Sequence, residues 1–405
     1  MIHRSHHISF ENAGGVRLAG RLELPLIGRP RAVALFAHCF TCTKDSHAAS
    51  RIARGLAQKG IAALRFDFTG LGGSDGEFAN SHFSSNVADL VAAADYLAAQ
   101  WGGPHILIGH SLGGAAVLAA AARIPACRAV VTIAAPFDVA HVLRHMGDLT
   151  AVEQDGKGDV EIAGRRFSVT REFVEDARGQ ALADCIAHLD RALLVLHAPR
   201  DDIVGIENAR QIYEAARHPK SFVTLGDADH LLIRPADAAY AASLVSAWVE
   251  PYLPRAQEEP VPPEGVVAAE TAGGPFTQSV EAGRHALLAD EPRVQGGDDM
   301  GPSPYDLLLS GLGACTNMTL QLYARRKGWP LEKVVTRLTH ARRHEADCVH
   351  CAEAEAKLDV VTREIEIDGA LSDEQLARLM EIAEKCPVHR TLEAGVTIRT
   401  RRAEE

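Results

Sequence analysis

His105-Ile106-Leu107-Ile108-Gly109-His110-Ser111-Leu112-Gly113-Gly114 decides the fold of the first half of this 405-residue chain. The run His105–Ile108 has strand character, leads straight into a glycine-flanked serine, and is followed by an alanine-rich stretch of helix character, Ala115 to Ala122. A serine hydroxyl is a poor nucleophile unless it is exposed, strained and beside a base. A sharp strand-to-helix turn supplies the exposure, and glycines flank it because no Cβ fits there. The N-terminus of the helix then offers free N–H groups to a developing oxyanion. As a bare string, G-x-S-x-G carries little weight; between a strand and a helix it points to a nucleophile.

Outward from this turn, strand-like apolar runs alternate with amphipathic helical stretches: Ala32–Ala37, Ala62–Phe66, Ala129–Ile133, Leu193–Leu196 and Ser221–Thr224. That alternation predicts an α/β fold with a mostly parallel sheet covered on both faces. Between Phe137 and Arg191 it lapses, and 159–170 reads as a hairpin, a lid too small to be a cap domain. The partners of a catalytic serine follow in the chain order that the motif predicts. Asp201 comes after the strand ending at Leu196, with Asp202 as its rival. His230 comes after the next strand, where a carboxylate at a strand end holds the imidazole in one tautomer. Asp229 adjoins His230, so its side chain points away from the ring. His38 and His110 read as residues that shape turns. An N–H after the strand 32–37, at Phe40, is placed to meet that of Leu112 around an oxyanion.

On these residues, together with Asp67-Phe68-Thr69-Gly70-Leu71-Gly72-Gly73-Ser74, residues 8–252 resemble an α/β-hydrolase of the serine aminopeptidase-like type. The resemblance implies Ser111 as nucleophile, Asp201 as acid, His230 as base, and Phe40 and Leu112 as oxyanion amides. Cys39 stands where that family usually has glycine, and it forms a C-x-x-C with Cys42 that reads either as a redox pair or as two buried inert thiols.

The stretch 251–264, PYLPRAQEEPVPPE, holds five prolines and three glutamates, and predicts an extended linker. The reading therefore divides the chain into residues 1–252, a linker over 253–265, and a second domain over 266–405. There the pattern changes to β segments around one long helix, an α+β arrangement. Ser303-Pro304-Tyr305-Asp306 reads as a capping box with proline at the first helical position. The helix that follows is apolar nearly all round, which predicts a central place in a core. Cys315 sits about three turns inside it, too deep for the helix dipole to activate its thiol. A second helix is capped by Ser372 with Gln375, and Pro387 after Cys386 terminates it. Composition alone favours two buried core cysteines.

The runs GRHALLADEP, GGDDMGPSPYDLLLSGLGACT and KCPVHRTL shift that balance, because with them residues 266–402 resemble the OsmC/Ohr family of thiol peroxidases. The resemblance implies Cys315 as the peroxidatic thiolate and Cys386 as the resolving thiol. It implies an activating arginine at Arg284, with Arg293 as the alternative, and a homodimer built through this domain. The hydroperoxide branch of that family has a glutamate where this chain has Tyr305, and Asp306 next to it points elsewhere on the helix. Cys348-Val349-His350-Cys351, with His340 and His344 upstream, reads as half a zinc site, an auxiliary thiol pair or an exposed loop.

Composition bounds the rest. A net charge of −11, with the negative excess mostly after residue 255, gives no phosphate-neutralising surface for nucleic acid. No apolar run reaches the length of a membrane span, and Met1–Asn12 has no apolar leader core. Eight cysteines in such a chain predict thiols that stay reduced unless they are catalytic or redox-sensing, and a cytoplasmic location. The reading is a serine esterase joined to an organic hydroperoxide reductase that needs an external dithiol and no bound cofactor. Two rivals stand beside it: a redox-sensing or ligand-binding module that governs the hydrolase, and a serine domain that serves as a scaffold.

Overall fold

The computed structural model describes residues 3–26, 28–39, 42–162, 165–254, 265–271, 274–283, 285–344 and 357–403. The chain divides into two compact units, 1–273 with 281–286 and 274–280 with 287–405.

The first unit is built on an eight-stranded sheet. Its strands are β1 (His3–Glu11), β2 (Arg17–Pro25), β3 (Ala32–Ala37), β4 (Ile61–Phe66), β5 (Ile106–His110), β6 (Ala129–Ile133), β9 (Ala192–His197) and β10 (Lys220–Thr224). A separate antiparallel hairpin, β7 (Lys157–Ile162) and β8 (Arg165–Thr170), lies at the expected lid. The sheet order is β1-β2-β4-β3-β5-β6-β9-β10. Pairing is antiparallel from β1 to β2 and from β2 to β4, and parallel from β4 onward through β10. The helices are α1 (His47–Ala57), α2 (Phe83–Trp101), α3 (Leu112–Ala120), α4 (Thr150–Asp155), α5 (Arg171–Gly179), α6 (Leu182–Ala187), α7 (Glu207–Ala215) and α8 (Pro235–Val249).

Period-two alternation sorts the strand residues onto two cores. In β3, Val33 and Leu35 face a core shared with α2, α3 and α5–α7, while Ala34 and Phe36 face one shared with α1 and α8. Central strands covered on both faces therefore read as continuous apolar runs, which is why β3, β5, β6 and β9 are legible in the sequence. Each fully buried Leu or Ile there contributes about 1.5–3 kcal/mol.

Beyond the first unit's sheet, β11 (Val267–Thr271), β12 (Gln278–Ala282) and β13 (His285–Ala289) form a three-stranded sheet, and β14 (Leu331–His344) pairs antiparallel with β15 (Lys357–Gly369). The long helix α9 (Pro304–Lys327) starts with the expected capping box, in which Ser303 and Asp306 cap each other's N–H groups, and ends at the left-handed Gly328. It packs with β14 and with α10 (Asp373–Ala383) around Leu320, Ala324, Leu379 and Ala383.

Two expectations change here. The helix α9 is not enclosed: Leu308, Met318 and Leu322 are exposed, because this small core covers one face of it only. Pro387 does not simply end a helix. The helix α10 stops at Ala383, and Pro387 opens α11 (Pro387–Ala394), with Cys386 as its N-cap. No described helix is long and apolar enough to cross a membrane.

Candidate functional site

β5 ends at His110 and α3 begins at Leu112, so Ser111 alone makes the turn, at φ 55° and ψ −127°. A non-glycine residue held there costs on the order of 1–3 kcal/mol, and such strain gathers at functional sites. The glycines around it are sterically required. A Cβ on Gly113 would collide with the carbonyls of Ala37 and His38, and one on Gly109 with the backbone of Gly113. Leu112 takes the first position of α3, where an N–H has no acceptor within its own helix. Phe40 lies outside the described residues.

Asp201, and not Asp202, stands against the imidazole. The Nδ1–H of His230 donates to Asp201 Oδ2 at 2.8 Å, while Asp202 is exposed. Asp201 Oδ1 also accepts from the N–H groups of Ile203 (3.0 Å) and Val204 (2.9 Å). Burial raises the carboxyl's pKa, but the His230 hydrogen bond and charge and these backbone donors outweigh it and hold it below the usual carboxylate range. The carboxylate fixes Nδ1 as the protonated nitrogen, which leaves Nε2 free to accept. His230 is itself held beside the serine turn, because His110 Nε2–H donates to its carbonyl at 2.7 Å. Asp229 accepts from the N–H groups of Leu231 and Ile233 and so braces the loop instead of the ring.

His197, at the end of β9, is a residue that the sequence reading passed over. It is fully buried, donates from Nε2 to the Val204 carbonyl at 2.7 Å, and lies 3.7 Å from Asp201. His38 donates from Nδ1 to the Cys39 carbonyl at 2.7 Å. Below the strand end, buried Asp67 takes hydrogen bonds from the N–H and Nζ of Lys44 (2.6 and 2.7 Å) and from Gly73 N–H (2.9 Å). The DFTGLGGS loop is thereby tied to the segment after β3. Cys39 and Cys42 are joined as a disulfide, the arrangement of the redox-pair reading and not that of two inert thiols. The C-x-x-C turn brings their Cα atoms to 5.2 Å, within the range that a disulfide spans.

Burial lowers the pKa of His110 to about 3, with the charge of His230 acting in the same direction. Burial also pulls Glu23 upward, but hydrogen bonds from His3, Arg65 and Ser5 outweigh it and hold the carboxyl at about 2. Both shifts have the same sign for stability. The unfolded chain takes up a proton at His110 below about 6.5 and at Glu23 below about 4.5, whereas the folded chain resists until about 3 and about 2. Stability is therefore expected to fall as pH drops through the window from 6.5 to 2. His110 alone should remove about 2 kcal/mol by pH 5. Urea midpoints of the first unit at pH 7 and pH 5 check this, and coincident midpoints refute it.

In the second unit, Cys315 is half-buried on α9 and Cys386 is fully buried. Cys386 Sγ lies 3.8 Å from Oγ1 of Thr316, the residue after Cys315, and accepts from His389 N–H at 3.3 Å. The fold thus brings the two cysteine-bearing segments together. Arg284 lies outside the described residues, and Arg293 is exposed in a 3-10 turn. A cation between the two cysteine-bearing segments that the sequence reading did not single out is Arg363 of β15. Its Nη1 donates to Thr316 Oγ1 at 3.0 Å, and its Nη2 pairs with Glu384 at 2.8 Å, two residues before Cys386. Only the strand register could have revealed it. Tyr305 stacks on His340 with 4.4 Å between ring centroids, and Asp306 is occupied in the cap. Cys348, His350 and Cys351 lie outside the described residues. Among the described residues no group of three or more His, Cys, Asp or Glu is placed to hold a metal.

Comparison with known proteins follows this division. Residues 28–155 match the family model of serine aminopeptidase, S33, and residues 296–401 match that of OsmC-like protein. The mitochondrial palmitoyl-protein thioesterase ABHD10 of Mus musculus is 30% identical over 186 residues, which are 44% of this chain and 62% of that protein. The chain thus spans about three fifths of the length of that relative. The monoacylglycerol lipase of Mycolicibacterium smegmatis is 26% identical over 245 residues, 52% of this chain and 84% of the lipase. Among solved structures, the esterase domain of a Rhodothermus marinus protein is 46% identical at a TM-score of 0.52, covering 62% of this chain and 99% of that one.

Proposed function

We propose that this chain, which is a fusion of an α/β-hydrolase domain with an OsmC-like domain, catalyses two reactions in the cytoplasm. Residues 1–252 would hydrolyse an acyl ester, residues 266–405 would reduce an organic hydroperoxide, and 253–265 would link them. One observation carries the first reaction. Ser111 occupies a strained strand-to-helix turn beside His110, which holds the Asp201–His230 pair in place.

In the hydrolytic reaction Ser111 Oγ attacks the acyl carbonyl while His230 Nε2 takes its proton. The N–H groups of Leu112 and Phe40 receive the oxyanion. The alcohol leaves with the proton from His230, and water then cleaves the acyl-serine. The relatives' names, a palmitoyl-protein thioesterase and a monoacylglycerol lipase, favour a fatty acyl ester or thioester as substrate.

In the thiol reaction the Cys315 thiolate attacks the distal peroxide oxygen. The O–O bond breaks, the alkoxide leaves and takes a proton from water to become the alcohol, and Cys315 becomes a sulfenic acid. Cys386 attacks that sulfur, releasing water and forming a disulfide, which an external dithiol reduces. The proximity of the Cys386 turn to Thr316 supports this step. The exposed Leu308, Met318 and Leu322 of α9 fit a second copy of the chain, so the proposed assembly is a homodimer through this domain.

The test is a paired assay of the full chain: p-nitrophenyl acyl ester cleavage, and organic hydroperoxide consumption with a dithiol. Both reactions are expected, and absence of either removes that half of the reading. Arg363 should act as a positioning residue in the second reaction. Arg363→Gln is expected to slow hydroperoxide turnover about 10- to 100-fold. Sulfenic acid at Cys315 should accumulate by mass spectrometry, and Arg363→Lys should restore part of the rate. Unchanged turnover would remove Arg363 from the site.

A further inference from the structure

A cavity of about 520 Å³ lies at the end of the hydrolase sheet remote from Ser111. Its walls include Arg128, from the turn before β6; His188 and Arg191, before β9; Arg217 and His218, before β10; and Tyr252. These strands run parallel, so their N-terminal ends share one edge of the sheet. Ser111, Asp201 and His230 all follow the opposite, C-terminal ends. Strands of five and six residues separate the two edges by roughly 16–20 Å. The cavity is a second site and no annex of the first.

Its charge is unbalanced. Three arginines and two histidines line it with a single acidic residue, Asp190, whose side chain is 98% exposed and lies 3.7 Å from Arg191 Nη1. Among the described residues neither Arg128 nor Arg217 has an ion-pair partner. Cys127 in the lining supplies no counter-charge, since burial pushes its thiol up to about 12 despite the pull of Arg191 and Arg128. Arg191 is the least exposed of the three arginines. Its Nη1 donates to the Asp190 carbonyl at 2.7 Å, yet its Nε–H is buried with no hydrogen-bond partner. Guanidinium forks match the oxygens of a phosphoryl group better than a point charge would. The volume falls within the range of small-molecule sites and exceeds what one phosphate needs.

We propose that this cavity binds a phosphorylated organic molecule of nucleotide size, with its phosphoryl oxygens on Arg191, Arg128 and Arg217 and its organic part along Tyr252. The cavity is thus a concentrated cationic patch of the hydrolase unit, at the edge of its sheet opposite Ser111.

The experiment is calorimetric titration of the full chain with ADP, adenosine and citrate at fixed ionic strength. ADP is expected to bind saturably with a Kd of about 1 mM or below, and to raise the Tm. Adenosine and citrate should each bind at least about tenfold more weakly. The double variant Arg128→Gln/Arg217→Gln changes two exposed side chains and should keep the fold and the ester hydrolysis rate while weakening ADP about tenfold or more. Arg191→Gln should weaken it as well. No saturable ADP binding by the wild type overturns the proposal. So does ADP affinity that the double variant leaves unchanged, and so does citrate or adenosine binding as tightly as ADP.

Discussion

Replacing Ser111 by alanine is expected to lower kcat for ester cleavage by about 10⁴- to 10⁶-fold while leaving hydroperoxide consumption at the wild-type rate. Alanine keeps the backbone of the turn, whose φ of 55° is imposed by β5, α3 and the close packing of Gly113 under Ala37 and His38. The variant should therefore fold and bind ester with a similar KM. What disappears is the oxygen that would form the proposed acyl intermediate, together with the proton that His230 would take. Removing His230 should cost nearly as much, and removing both little more, because the groups act as one unit. Steady-state kinetics on a p-nitrophenyl acyl ester, with labelling by a fluorophosphonate probe, checks the prediction. A Ser111→Ala protein that still cleaves the ester within tenfold of wild type would place the nucleophile elsewhere. If hydroperoxide consumption fell in parallel, the two reactions would not be separable.

The candidate serine site could be assembled from the sequence because each of its parts leaves a local signature. A buried parallel strand reads as an apolar run, the turn needs glycine on both sides of Ser111, and the acid and base follow later strand ends in a set order. What stayed hidden depends on register and edge. β1 and β2 were not foreseen, since β1, HRSHHISFE, is a mostly exposed edge strand with no apolar run. Yet β2 carries Glu23, which pairs with the buried Arg65 of β4 at 2.8 Å. The choice between Asp201 and Asp202 turned on which carboxylate meets Val204 N–H and His230, a question of loop geometry. Arg363 was invisible for the same reason. It sits 47 residues from Thr316, and only the pairing of β15 with β14 on α9 delivers it there. The apolar character of α9 was read correctly and its burial was not, because the sequence cannot say whether an apolar face is covered within one chain.

Cys315→Ser should abolish catalytic hydroperoxide reduction, by about 10³-fold or more, and leave ester cleavage untouched. The serine oxygen is nearly isosteric with sulfur but is neither ionised nor soft enough to attack a peroxide oxygen, so no sulfenic acid forms. Cys386→Ser gives a different outcome. The first peroxide should still be consumed, one equivalent per chain, with Cys315 trapped as a sulfenic acid because the buried thiol beside Thr316 is gone. That contrast separates the roles of the half-buried Cys315 and the fully buried Cys386. It also separates a peroxidase from a sensor. A sensor would be oxidised once and need not turn over with a dithiol, whereas the enzyme cycles. Stopped-flow peroxide consumption, with intact-mass measurement of each variant, reads both. Full turnover surviving Cys315→Ser would overturn the assignment. Full turnover surviving Cys386→Ser would mean that the external dithiol attacks the sulfenic acid directly and that the buried cysteine serves only as the N-cap of α11.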